Sequence, residues 1–217
     1  MRIYHTCVLP RLINLAMQSR VVSGERARLV PLASGGVLEV GIGSGLNLPF
    51  YARNVEKLCG LDPSLDLWRL AKKRIARAPF PIEFIALSGE SIPFGDSTFD
   101  SVVTTWTLCS IPDPGKALAE MRRVLKPQGQ LIFIEHGLAP DPRVMAWQNR
   151  LTPIWQRIAG GCHLNRKMDD LIRNAGYHFI QIEKGYIEGP KMLTYLIRVL
   201  RSQPSGAGTL DTFPNHA

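Results

Sequence analysis

Gly41, Gly43 and Gly45 stand at alternate positions in Glu39-Val40-Gly41-Ile42-Gly43-Ser44-Gly45, after the apolar run Val37-Leu38-Glu39-Val40 and before Leu46-Asn47-Leu48. Glycines there let the backbone turn tightly and let a ligand approach where a Cβ would clash. Alternating glycines alone suit several nucleotide-binding folds, and the neighbours narrow the choice. A dinucleotide site wants a third glycine three positions after the second, to leave room for a pyrophosphate. That position is Leu46, and no Gly-Lys-Ser follows, which disfavours nucleoside triphosphates. Asp62, in Gly60-Leu61-Asp62-Pro63-Ser64, ends the next strand candidate and is placed to accept hydrogen bonds from both hydroxyls of a ribose. Its alternative role is a helix N-cap. Together these residues imply a ligand with adenosine character and no phosphate cradle.

A second group could act on an acceptor. Glu135-His136 closes the run Leu131-Ile132-Phe133-Ile134, at the carboxyl edge where open α/β sheets bind ligands. His136 titrates near neutrality and is the candidate general base, with Glu135 beside it; a histidine bonded into a neighbouring loop is the alternative. Cys162-His163 and Asn165-Arg166 lie in a polar segment that either closes over an acceptor or forms a structured turn. A zinc site from Cys109, His136, Cys162 and His163 lacks paired-ligand spacing, so no metal is expected. Tyr4, Trp106, Trp147 and Trp155 could line an apolar acceptor pocket or belong to the core.

These residues need a scaffold, and residues 34–136 supply one. Strand candidates fall at 37–40, 55–61, 82–87, 101–104 and 131–134, separated by helix-length segments. That alternation predicts βαβ crossovers and a mostly parallel sheet. Between them, 64–75 carries Leu67, Leu70, Ala71 and Ile75 on one helical face, and 116–125 carries Ala117, Leu118, Met121 and Leu125. Lys72, Lys73, Arg74 and Arg77 complement the dipole of the first helix. Upstream, Pro10 to Gln18 reads as an amphipathic helix. Downstream come helical patterns at 147–158 and 167–175 and strand-like runs at 179–184 and 193–199.

The 217 residues are 45% hydrophobic and 20% charged, enough for one buried core. No apolar run of about 18 residues or secretory pattern appears, so neither a membrane span nor export is expected. Cys7, Cys59, Cys109 and Cys162 are scattered, which reads as free thiols in a reducing, cytoplasmic setting. The net charge of +8 is spread along the chain without a nucleic-acid motif. A solvated surface is therefore expected rather than a nucleic-acid partner.

Glu39 to Gly45, Asp62, Gly89-Glu90-Ser91-Ile92-Pro93-Phe94, Phe99-Asp100 and Leu125-Lys126-Pro127 resemble, in order and spacing, the motif series of class I S-adenosylmethionine (SAM)-dependent methyltransferases. The resemblance covers roughly residues 36 to 137. It implies an α/β, Rossmann-like fold with a seven-stranded, mostly parallel sheet and helices on both faces. It also implies SAM as cofactor and S-adenosylhomocysteine as product. Glu39, Gly41, Gly43, Gly45 and Asn47 would hold the methionine part, with Thr105 near it. Asp62, Pro63 and Ser64 would bind the ribose, and Gly89, Glu90 and Ser91 would lie along the adenine. Two positions depart from the pattern: Ser88 stands where many relatives are acidic, and Gln128 replaces a glycine after Pro127.

Leu108-Cys109-Ser110, Glu135-His136, Trp147 to Trp155 and Gly161 to Arg166 are further similar to the methyltransferase-like 7 group, membrane-associated enzymes that act on alkyl thiols. Gly45 to Tyr51 resembles bacterial phosphatidylethanolamine N-methyltransferases. The resulting expectation is methylation of a small or amphiphilic acceptor, with thiol S-methylation first and lipid headgroup N-methylation second. A catalytically silent SAM-binding regulator is the alternative of another class. Residues 1–33 are expected to form a helical lid with peripheral membrane contact through its amphipathic helix. Residues 34–201 then form the methyltransferase domain and 202–217 a disordered tail, with the oligomeric state left open.

Overall fold

The computed structural model describes residues 8–204. Tyr4 and Cys7, singled out above, lie outside them. Its centre is a seven-stranded sheet in the order β3-β2-β1-β4-β5-β7-β6. The strands are β1 (Gly35–Val40), β2 (Val55–Leu61), β3 (Ile82–Ile85), β4 (Phe99–Thr105), β5 (Leu125–His136), β6 (Tyr177–Tyr186) and β7 (Tyr195–Pro204). The first five pair in parallel. β7 runs antiparallel to both β5 and β6.

The helices are α1 (Leu9–Ala16), α2 (Arg20–Leu29), α3 (Leu65–Ile75), α4 (Pro114–Val124), α5 (Pro142–Ile158), α6 (Met168–Asn174) and the single turn α7 (Lys191–Thr194). They cover both faces. Ala117, Leu118 and Met121 of α4, Val144 of α5 and Ile172 of α6 pack on one face of the sheet. Leu29 of α2 and Ile75 of α3 pack on the other, with Leu48 and Tyr51. Burial from two sides explains why Val37-Leu38 and Leu131 to Ile134 read as unbroken apolar runs: each of these residues is fully buried.

Some boundaries differ from the sequence expectation. β7 begins after α7 and reaches Pro204, so the carboxyl-terminal segment expected to be disordered from 202 starts as strand. Ser202 is buried there and donates to the Leu131 carbonyl at 3.0 Å. Helix α2 falls within the helical 1–33 segment expected, although no separate helix was placed there. Ser19 caps its start, its hydroxyl accepting from the Val22 amide. Glu25 then binds Arg198 of β7 at 2.6 Å, both side chains being buried.

β1 has β2 on one side and β4 on the other. The connections leaving the carboxyl ends of β1 and β4 therefore diverge, and the crevice between them is where a sheet of this kind holds a ligand.

Candidate active site

A cavity of about 380 Å³ fills that crevice. Its walls come from the loops after β1, β2, β3 and β4, and its outer side from Leu9, Pro10, Ile13 and Met17 of the α1 segment with Ala159 and Gly160 beyond α5.

The loop after β1 needs its glycines for different reasons. Gly41, Gly43 and Gly45 all have positive φ (79°, 51° and 73°), where L side chains are strained. A Cβ at Gly41 would also meet Thr107 Oγ1 at 2.1 Å, and one at Gly45 would meet Leu48 at 2.9 Å and Ala71 at 3.3 Å. At Gly43 the nearest atoms stand at 3.7 Å or more, because this glycine faces the cavity. Gly45, expected to touch cofactor, is not part of the wall; it lets the loop pack on α3. Arg74, expected to complement a helix dipole, donates to the Ser44 carbonyl at 2.9 Å and pins the same loop.

Asp62 holds the middle of the cavity. Its Oδ2 accepts from the Gly43 amide and its Oδ1 from the Ser64 amide, at 2.9 and 2.8 Å. The N-cap role belongs to Ser64, whose hydroxyl accepts from Leu67. Asp62 is only 8% exposed, and burial raises its pKa above the usual carboxylate range. Each oxygen keeps acceptor capacity for a hydroxyl donor. Pro63 and Ser64 continue the wall.

Beyond Asp62 the cavity becomes charged. Glu39 is 1% exposed; its carboxylate accepts from Asn47 Nδ2 at 2.9 Å and from the Tyr51 hydroxyl at 2.8 Å. Asn47 also donates to Thr105 and accepts from Arg26 Nε at 3.0 Å. Arg26 donates to the Met17 carbonyl and lies over the Trp106 ring, 4.8 Å from its centroid. Burial pushes Glu39 up to about 7, against the pull of Tyr51, Asn47 and Arg26, and pulls Arg26 down to about 10. Arg26 is the residue sequence reasoning missed. It counted only as surface charge; the Ser19 cap was the one local signal that a helix followed.

The opposite end is apolar, walled by Ile42, Leu67, Leu87 and Ile111, with Ser88 and Gly89 alongside. A Cβ at Gly89 would meet Val40 at 2.7 Å. Glu90 and Ser91 do not join this wall as expected. Glu90 accepts from the Ser88 hydroxyl and the Asp113 amide, which ties the loop to α4, and Ser91 is exposed.

The two expected catalytic residues also lie outside the cavity wall. Glu135 is fully buried and its Oε1 accepts from the Thr107 and Leu108 amides at 2.6 and 2.8 Å. It shapes the turn after β4. His136 turns its Nε2 to Cys162 Sγ at 3.0 Å. Residues adjacent on a strand point to opposite faces, so a position at the sheet's carboxyl edge did not fix which way either side chain aims. His163 bonds the carbonyls of Cys109 and Gly161. Of the aromatic candidates, Trp106 reaches the cavity, Trp147 is 55% exposed against Arg150, and Trp155 is half-buried outside the wall.

A mixed-charge end, a buried carboxylate at the strand tip and a narrow apolar end correspond in order to the amino-acid, ribose and adenine parts of SAM. The residues present fit that cofactor.

Comparison with known proteins agrees. Residues 38–133 match the methyltransferase domain family Methyltransf_11. The sheet and its helices superpose on a SAM-dependent methyltransferase of Thermotoga maritima with a TM-score of 0.62, at 18% identity over 93% of this chain and 99% of that one. They also superpose on the [4+2]-cyclase SpnF, with a TM-score of 0.63 at 19% identity over 91% and 81% of the two chains. The fold is thus the one seen in SAM-dependent methyltransferases, and residues 38–133 match a methyltransferase domain model. Among its relatives in sequence is the thiol S-methyltransferase TMT1B of Rattus norvegicus, 38% identical over 68% of this chain and 62% of that protein. The human TMT1B is 37% identical over 70% and 64%. A phosphatidylethanolamine N-methyltransferase of Cereibacter sphaeroides is 33% identical over 47% and 51%. The chain spans less than two thirds of the length of each of these relatives.

Proposed function

We propose that the protein is a SAM-dependent methyltransferase whose acceptor is the thiol of a small or amphiphilic molecule. The observation that carries this reading is the absence of a free base: among the described residues, the ionisable side chains lining the cavity are Arg26, Glu39 and Asp62, each already engaged. The cofactor supplies an electrophilic methyl group on a sulfonium, and transfer needs an aligned acceptor and no water. A thiol reaches a reactive form without help, since a few per cent is thiolate at neutral pH. A phenol or alcohol would need a base that this cavity lacks. The names of the TMT1B relatives support the same acceptor.

In this reading Glu39 takes the ammonium of the cofactor's amino-acid end and Arg26 its carboxylate, Asp62 takes the ribose hydroxyls, and Gly89 flanks the adenine. An ammonium beside Glu39 favours the ionised acid, so cofactor binding lowers a pKa that stands at about 7 in the free protein. Binding should therefore release a proton near neutrality, and affinity should rise with pH through about 7. Calorimetry in buffers of different ionisation heat checks this; proton uptake, or none, contradicts the assignment of Glu39.

The α1 segment serves as a lid over the acceptor end. Leu12 and Leu15, 51% and 71% exposed, leave apolar surface on the segment that walls the cavity, and the exposed Ile158 adds to it next to Ala159. That surface suits peripheral membrane contact; among the described residues no helix is long and apolar enough to cross a membrane. Removing residues 1–16 should raise the acceptor KM several-fold and change the cofactor Kd little. Equal losses in both would mean that α1 is only structural.

A radiolabelled methyl-transfer assay across alkyl thiols and phosphatidylethanolamine vesicles tests the acceptor. Below the thiol pKa, kcat/KM should rise about tenfold per pH unit and shift with the thiol chosen, because thiolate is the reactant. Turnover on the vesicles alone would transfer the reading to lipid N-methylation.

A further inference from the structure

We propose that Cys109, His136 and Cys162 form a binding site for a single zinc-type divalent cation. The three come from separate parts of the chain: the turn after β4, the end of β5 and the connection from α5 to α6. Their ligand atoms nevertheless lie within 4.8 Å of one another. Ligands held at zinc's usual bond lengths stand roughly 3.3 to 3.8 Å apart around a tetrahedral ion, so the cluster needs little adjustment. Two thiols and an imidazole are the soft donor set that zinc prefers among the divalent cations.

The surroundings hold these donors in place. Cys109 is 3% and His136 7% exposed. The imidazole already turns its Nε2 inward, 3.0 Å from Cys162 Sγ. The Cys162 segment is fastened to the Cys109 turn by the His163 amide, which donates to the Cys109 carbonyl at 2.9 Å. Arg166 fastens it again, through the Leu108 and Ile111 carbonyls. Charge also balances: two thiolates cancel the dication, and Arg166 offsets the buried Glu135. Paired-ligand spacing is missing from the sequence, and the fold supplies by topology what spacing does not.

The site offers three protein ligands. His163, the fourth candidate by residue type, commits its Nδ1 to backbone carbonyls instead. A zinc ion so held keeps one position for water or an exogenous donor. Ser110, next to Cys109, and Gly160, two residues before Cys162, line the cofactor cavity, so the proposed site borders that cavity.

Elemental analysis of the full chain, purified with a reductant and without chelator, tests the proposal. It should find about one zinc per chain in the wild type and in His163→Ala, falling at least tenfold in Cys162→Ser and in His136→Ala. Far-UV circular dichroism of each variant separates loss of metal from loss of fold. Cobalt(II) exchanged into the wild type should give the intense near-ultraviolet sulfur-to-cobalt band and the visible bands of a tetrahedral centre. That measurement needs no variant. A wild type that is reduced, metal-free and unresponsive to cobalt overturns the site. So does a disulfide between Cys109 and Cys162, located by peptide mapping of the protein purified without reductant.

Discussion

Asp62→Ala should weaken S-adenosylhomocysteine binding by roughly two orders of magnitude, about 2.7 kcal/mol. The expected loss has two sources. Hydrogen bonds from hydroxyls to a buried carboxylate are charge-assisted, and each contributes about 1.5 to 3 kcal/mol. The same carboxylate also holds the Gly43 and Ser64 amides, so its removal loosens both loops that shape the cavity. Asp62→Asn separates these contributions, because its amide oxygen still accepts from one backbone N–H while the charge is gone. It should fall between wild type and alanine. Calorimetric titration of all three forms is the measurement, and an unchanged Kd in Asp62→Ala would falsify the ribose assignment.

Arg198→Ala should cost about 3 kcal/mol of stability, since the buried Glu25 carboxylate then keeps only the half-exposed Arg28, 3.6 Å away, as a partner. Arg198 Nε and Nη2 meet the Glu25 carboxylate at 2.6 and 3.0 Å, and both side chains are buried. Replacing the pair together, Glu25→Leu with Arg198→Met, should recover most of the loss because no charge is then left buried. Urea unfolding of the single and double variants gives the comparison. A single-variant loss below about 1 kcal/mol would show that the pair is solvated in the native state. The pair also decides where α2 lies, and α2 carries Arg26. Arg198→Ala should therefore lower cofactor affinity from a position outside the cavity.

The parts of the site written within one βαβ unit were legible from residue order. The strand, the glycine turn and Asp62 follow one another in the chain, and their geometry is local; the cap that the sequence offered at Asp62 falls two residues on, at Ser64. Arg26 was not legible, because α2 has little amphipathic character and includes Val21, Val22 and Gly24, which favour helix weakly. Its place is fixed by Glu25 reaching Arg198, 173 residues away. Glu90 misled for a related reason: it sits in the expected motif, yet the Asp113 amide and Ser88 hydroxyl claim its carboxylate. The direction of Glu135 and His136 depended on which strands flank β5 and on what the turn after β4 leaves unpaired. Neither is written in the segment itself. The start of β7 moved because Lys191 to Thr194 makes a helical turn inside an otherwise strand-like run.

Helix α1 buries only Leu9 and Pro10, and its remaining residues are exposed or half-exposed. A segment with so few buried contacts opens at a small fraction of the global unfolding free energy. If α1 is the lid proposed above, spent cofactor has an exit that leaves the sheet intact, and departure of product sets the pace of turnover when the methyl step is fast. Anything that holds α1 down, an apolar interface included, would then slow the catalytic cycle by slowing entry and exit alike.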